Sequence, residues 1–162
     1  MCIRDRAGTV EELLEVEKYM NFDEYFMGIA EFASKRSPCL SKQVGAAAVI
    51  DKSVVATGYN GPPRKVPHCE ECKRKGKEGY IAGVGYDNCP SVHAELNCII
   101  QAARLGISLK GATIYCTHFP CQYCLKALIN AEIDEIVAES FDIGESDIIE
   151  WKRYIKIRKP KC

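Results

Sequence analysis

Residues 112–140 read ATIYCTHFPCQYCLKALINAEIDEIVAES. "ATIYCT" reads as a strand, "CQYCLKALINA" as a helix and "EIVAES" as a second strand. A strand, a helix and a strand joined by short links predict two parallel strands in one sheet with the helix packed on its face. Upstream, "VHAELNCIIQAARLG" (92–106) is a helix closed by Gly106. Farther upstream, "QVGAAAVI" (43–50), "DKS" (51–53) and "VVATGYN" (54–60) predict a hairpin, which makes the sheet mixed. "NFDEYFMGIAEFASKR" (21–36) reads as a long helix ended by Pro38, with Phe22, Phe26, Ile29, Ala30 and Ala33 at helical spacing. A short helix is expected over 9–19 with Thr9 as its N-cap, and another over roughly 145–152; "YIKIR" (154–158) is a last strand. The expectation is an α/β fold with a five-stranded mixed sheet.

The 162 residues suit one domain with a full-sized core, and 47% of them are hydrophobic. Residues 1–8, opening "MCIRDR", fit nothing downstream and are expected to be a non-native or disordered leader; residues 9–162 are expected to form the single domain. The 22 basic residues balance the 22 acidic ones, which argues against nucleic-acid binding because phosphate neutralisation needs a basic excess. The basic C-terminal run of Lys152, Arg153, Lys156, Arg158, Lys159 and Lys161 reads as a solvated segment. No apolar run is long enough to span a membrane and no signal peptide is visible, so a cytoplasmic setting is expected. In a reducing compartment the ten cysteines read as metal ligands or buried thiols rather than disulfides.

Cys121 and Cys124 start a helix one turn apart, so both sulfurs share a face. A helix N-terminus favours thiolate over thiol. His93 opens the preceding helix. Two thiolates and an imidazole suit zinc and leave a fourth position open, as hydrolytic zinc sites require. Glu95, two residues on, suits a proton shuttle rather than a ligand. A CxxC pair alone is compatible with redox chemistry, and a lone His-Ala-Glu with a capping or core histidine. Their joint occurrence at successive helix starts favours the hydrolytic reading.

H-x-E followed by P-C-x-x-C is the signature of the zinc deaminases. "HAELN" (93–97), "GYNG" (58–61) and "QVGA" (43–46) further resemble the deoxycytidylate (dCMP) deaminases, over about residues 22–140. The resemblance implies a three-layer α/β/α cytidine-deaminase-like sandwich. It implies a catalytic zinc on His93, Cys121 and Cys124, with Glu95 moving the proton while cytosine is attacked at C4, so that dCMP becomes dUMP and ammonia. It implies Asn60 at the sugar–phosphate, Val44, Gly45, Ala46, Ala94 and Phe119 around the base, and Arg36 as a candidate phosphate contact. Homo-oligomers (trimers or hexamers) and dCTP or dTTP as effectors follow from the same likeness. Two alternatives stay open: a deaminase of this fold acting on another nucleoside, nucleotide or base, and a competence-type zinc protein without dCMP activity.

The loop 61–90 is rich in Gly, Pro, Lys and Cys, and a loop of that length in a compact domain is usually functional or pinned. Cys69 and Cys72 form a second CxxC, with Cys89 at the loop's end and Cys39 after the first long helix. Four thiolates enclose a structural zinc. Cys39 and Cys69 resemble ligand positions of a second zinc in some dCMP deaminases, and His68 competes for one place. Cys98 and Cys116 read as core residues. His118 reads as structural or peripheral.

Overall fold

The computed structural model describes residues 19–74, 88–141 and 149–161. Helix α1 is Phe22–Ser34, followed by strands β1 (Gly45–Ile50) and β2 (Ser53–Tyr59). Helix α2 (Ala94–Leu105), β3 (Thr113–His118), α3 (Gln122–Asn130), β4 (Glu135–Ser140) and β5 (Lys156–Arg158) complete the order. The sheet runs β2-β1-β3-β4-β5. β1 is antiparallel to β2 and β3, whereas β3, β4 and β5 are parallel. The mixed five-stranded sheet expected from the sequence is present.

Strand alternation assigns the two layers that flank it. Ala47 and Val49 of β1, Tyr115 of β3 and Val137 of β4 face Phe26, Met27 and Ala30 of α1. On the other face Ala46, Ala48, Ile114, Cys116 and Ile136 pack with Ala94, Cys98, Ala102, Leu125 and Leu128 of α2 and α3. Cys98 and Cys116 are fully buried, and burial pushes both thiols up, which leaves them inert core groups.

Local chemistry sets the boundaries. Asn21 caps α1 in a capping box with Glu24. Asp51 and Lys52 both take positive φ (48° and 60°), so β1 and β2 meet in a two-residue turn of the mirror-image kind that suits strand twist. Ser53 therefore belongs to β2 rather than to the turn. Gly106 ends α2 in the left-handed conformation (φ 69°).

Two expectations need correction. Phe22 lies outside the α1 stripe: it is exposed, with the Lys52 ammonium 5.0 Å from its ring. Arg158, read with the basic C-terminal run as solvated, is partly buried instead, because it donates to the buried Asp23 carboxylate. The helix expected over 9–19 lies outside the described residues, as do the leader and the middle of the long loop. Of the helix expected near 145–152, residues 149–151 are helical and the earlier part lies outside the described residues. Among the described residues, no helix is long and apolar enough to cross a membrane.

Candidate active site

One end of the sheet gathers the C-terminal ends of β2, β3, β4 and β5 and the N-terminal end of β1. The α2 and α3 N-termini open at this end. His93 is the N-cap of α2 and Cys121 the N-cap of α3, and neither uses its side chain to cap its helix. The His93 Nδ1 lies 3.3 Å from the Cys121 sulfur and 3.4 Å from that of Cys124. The three donor atoms lie within 4.8 Å of one another, and this is the metal-competent group among the described residues. Zinc–sulfur and zinc–nitrogen bonds at a tetrahedral angle put sulfur and nitrogen about 3.5 Å apart, so the spacing fits zinc. The donor types fit as well: two sulfurs and one imidazole at positive helix ends.

The electrostatics reflect this crowding. Hydrogen bonding from Cys124 holds the Cys121 thiol down at about 4, against its burial. Cys124 moves the other way, because its proton serves Cys121 and burial disfavours its charge. The hydrogen bond to Cys121 raises His93 above an ordinary histidine, outweighing its burial. Glu95 is 3% exposed. Burial pushes its carboxyl up to about 7, opposed by its own backbone N–H and by His93.

The other expected site residues fall in distinct places. Ala46, Ala94 and Phe119 belong to one buried cluster, with Val44 packed against it. Gly45 has a packing reason to be glycine. A Cβ there would stand 1.9 Å from the Ala30 carbonyl oxygen, so its bareness is required for α1 docking. Gly58 behaves alike toward α2, where a Cβ would meet the Ala94 oxygen at 2.0 Å. Arg36 is exposed, and its guanidinium lies 6.0 Å from the Tyr59 ring centre.

Asn60 is buried and already engaged. Its Oδ1 accepts from the Val44 N–H (2.8 Å) and from the Ser37 hydroxyl (2.7 Å), and its Nδ2 donates to the Lys42 carbonyl (2.8 Å). One of the two amide protons is used, and the single Ser37 hydroxyl proton is shared between Asn60 Oδ1 and the Asn60 carbonyl, each 2.7 Å away. The sequence offered Asn60 as a sugar–phosphate contact or as a plain turn asparagine, and gave no role to Ser37, Thr117 or Asn97. Thr117 Oγ1 accepts from the Gly45 N–H at 3.2 Å and lies 3.0 Å from His118 Nδ1. The spacing of Asn97, four residues after His93 and so on the same helix face, was the signal available for it.

Cys39, Cys69, Cys72 and Cys89 line one cavity of about 30 Å³ beside Gly61. No three of their donor atoms approach as closely as those of the His93 group. His68 is exposed and does not line that cavity.

Sheet, helix ends and donor set define an α/β protein built around a thiolate–imidazole metal site. Residues 20–140 match the family described as the cytidine and deoxycytidylate deaminase zinc-binding region, and the chain belongs to that family. A deoxycytidylate deaminase of Mycobacterium phage D29 is 39% identical over 72% of this chain and 93% of its own length. ComE operon protein 2 of Bacillus subtilis is 36% identical over 72% of this chain, which spans 58% of that protein. The dCMP deaminase of cyanophage S-TIM5, solved in complex with dCMP and dUMP, aligns with a TM-score of 0.70 and 27% identity, over 87% of this chain and 99% of its own.

Proposed function

We propose that the chain deaminates dCMP hydrolytically to dUMP and ammonia, with one zinc held by His93, Cys121 and Cys124. The observation that carries this reading is the convergence of that donor set with a buried carboxylate, Glu95, in a chain whose relatives bear the name of this activity. When bound, zinc supplies Lewis acidity that makes water a nucleophile near neutral pH. Glu95 accepts the proton that the water gives up as its oxygen bonds to C4. It delivers that proton to N3 of the ring, and the amino group leaves C4 as ammonia after taking up the second proton. The apolar cluster of Ala46, Ala94 and Phe119, with Val44, flanks the base and excludes bulk water. Arg36 and the remaining amide proton of Asn60 face the sugar–phosphate.

The reading extends to a second, structural zinc on Cys39, Cys69, Cys72 and Cys89, supported by their shared cavity. It extends to a cytoplasmic homo-oligomer, trimer or hexamer, under dCTP and dTTP control, for which the support is the resemblance read from the sequence.

Ammonia release from dCMP and from deoxycytidine tests the main reading. dCMP should be turned over far faster, because the remote phosphate contributes binding energy that orients the base. Equal rates on the two would overturn the nucleotide assignment. A second reading, the same fold and metal without dCMP turnover, draws on the likeness to ComE operon protein 2, whose name carries no deaminase activity. Zinc-loaded protein that releases no ammonia would select it.

A further inference from the structure

We infer that Asn97 is the positioning residue that sets the metal ligand His93 in place, an inference that rests on the zinc role proposed for His93, Cys121 and Cys124. A helix N-cap is normally fixed by its own side chain, which accepts from the first turn's N–H groups. His93 makes no such bond, and its Nδ1 faces the two sulfurs. Its backbone must be held from elsewhere.

Asn97 holds it with its side chain, in addition to the ordinary first-turn helix bond that any residue but proline would make at 97. Its backbone N–H donates to the His93 carbonyl at 2.9 Å. Its side-chain Nδ2 donates to the carbonyl of Val92, the preceding residue, at 3.3 Å. The same Nδ2 donates to the Tyr59 carbonyl at the end of β2, at 2.7 Å. One amide group thus ties the residue before the ligand to the rigid sheet. Gly61 and Val92 complete the frame by exchanging backbone hydrogen bonds of 3.1 and 2.8 Å. Without the amide, the Val92 and Tyr59 carbonyls lose their shared donor, and this tie between segment 91–93 and the end of β2 is gone. His93 then drifts relative to sulfurs carried on a different helix, and a tetrahedral donor set tolerates little drift.

Gln101, one turn further along α2, provides the control. Its Oε1 accepts from the Thr57 N–H at 2.7 Å, so it also ties α2 to β2 but touches nothing next to His93. A merely structural Asn97 would behave like Gln101.

Co(II) and Zn(II) binding to the purified chain provide the test. The site's signal is the cobalt–thiolate and tetrahedral ligand-field absorption that Cys121→Ser removes, and zinc affinity comes from chelator competition. Asn97→Ala should bind Zn(II) about 10–100-fold more weakly and show altered ligand-field bands. Gln101→Ala should keep native affinity and spectrum while melting lower. If Asn97→Ala does not fold, Asn97→Ser, which is too short to join two carbonyls, is measured in the same way. Native affinity and spectrum in the Asn97 variant, or equal loosening by Gln101→Ala, would overturn the inference and leave the zinc reading standing. A native chain without cobalt–thiolate absorption would overturn both.

Discussion

Asp23 and Arg158, at opposite ends of the described chain, form a two-pronged ion pair: Arg158 Nη1 donates to one carboxylate oxygen of Asp23 and Nη2 to the other at 3.0 Å. Tyr115 Oη and the Lys161 N–H donate to the same carboxylate at 2.8 and 2.7 Å, and Arg158 Nε reaches Glu135 Oε1 at 2.7 Å. The group locks α1, β3, β4 and β5 together. Burial alone would raise the Asp23 carboxyl, but the bonds from Arg158, Lys161 and Tyr115 outweigh it and hold it at about 2, below the ordinary 3.8. Glu135 is lowered in the same way, its burial outweighed by Arg158 and Lys156.

Arg158→Ala should cost about 3 kcal/mol at pH 7, because it strands two partly buried carboxylates. Since the folded carboxyls are depressed, the network's contribution is complete above about pH 4 and is lost as pH falls toward 2. Urea unfolding of native and variant proteins at pH 7, 4 and 2 should show their difference shrink across the lower interval. Both proteins lose metal alike in acid, so the difference isolates the network. A constant difference would contradict the assignment.

Glycine placement gives predictions of opposite sign. Gly45→Ala and Gly58→Ala each drive a Cβ into a helix carbonyl and should destabilise by about 3 kcal/mol. Gly58→Ala should also lower activity, since it displaces the α2 N-terminus that carries His93. Gly28, on the exposed side of α1, has nothing within 4 Å of a built Cβ, so Gly28→Ala should stabilise by about 1 kcal/mol. Thermal melts of the three variants decide.

The same residues show what the sequence made legible. The β3–α3–β4 unit and the hairpin were readable because period and turn chemistry are local properties. So was the His93–Cys121–Cys124 grouping, since two helix starts on one sheet must lie at the same end. The burial of Asp23 was not readable: its partner lies 135 residues away. Nor was the purpose of Gly45, which depends on how closely α1 lies on β1. The bracing of Ser37, Lys42 and Val44 by Asn60 was not readable either, because a turn asparagine carries no mark of which groups it will meet.

Glu95→Gln should retain zinc, because the carboxylate is not among the donor set. The amide cannot accept the proton that water gives up, so dCMP turnover should fall about 10²–10⁴-fold. Zinc content and steady-state kinetics on one preparation check both halves. Native turnover would remove Glu95 from the proton path.

Asn60→Ala separates two roles. A residue that only touches substrate can be truncated without loss of stability. Here truncation leaves the Val44 N–H and the Lys42 carbonyl without their partner, so melting should drop by an amount equivalent to about 1–3 kcal/mol. dCMP turnover should fall with it, because Val44 leads into β1 and is one of the residues proposed to flank the base. An unchanged melting temperature with lost turnover would restore the simpler contact role.

The loop cysteines make the metal count decisive. Cys39 follows Pro38 at the end of the α1 connection, Cys69 and Cys72 come from the long loop, and Cys89 closes it; all four line one cavity. A zinc held by these four would cross-link segments that are far apart in the sequence, which is how a structural metal stabilises a fold. Gly61 lines the same cavity and pairs with Val92, the residue before His93, so loosening the loop should be transmitted to His93. Elemental analysis should give two zinc ions per native chain and one in Cys72→Ser/Cys89→Ser. The double variant should melt lower and turn over dCMP more slowly, with the remaining zinc removed by Cys121→Ser. One zinc in the native chain, with melting unaffected by the double substitution, would reduce the four cysteines to free thiols.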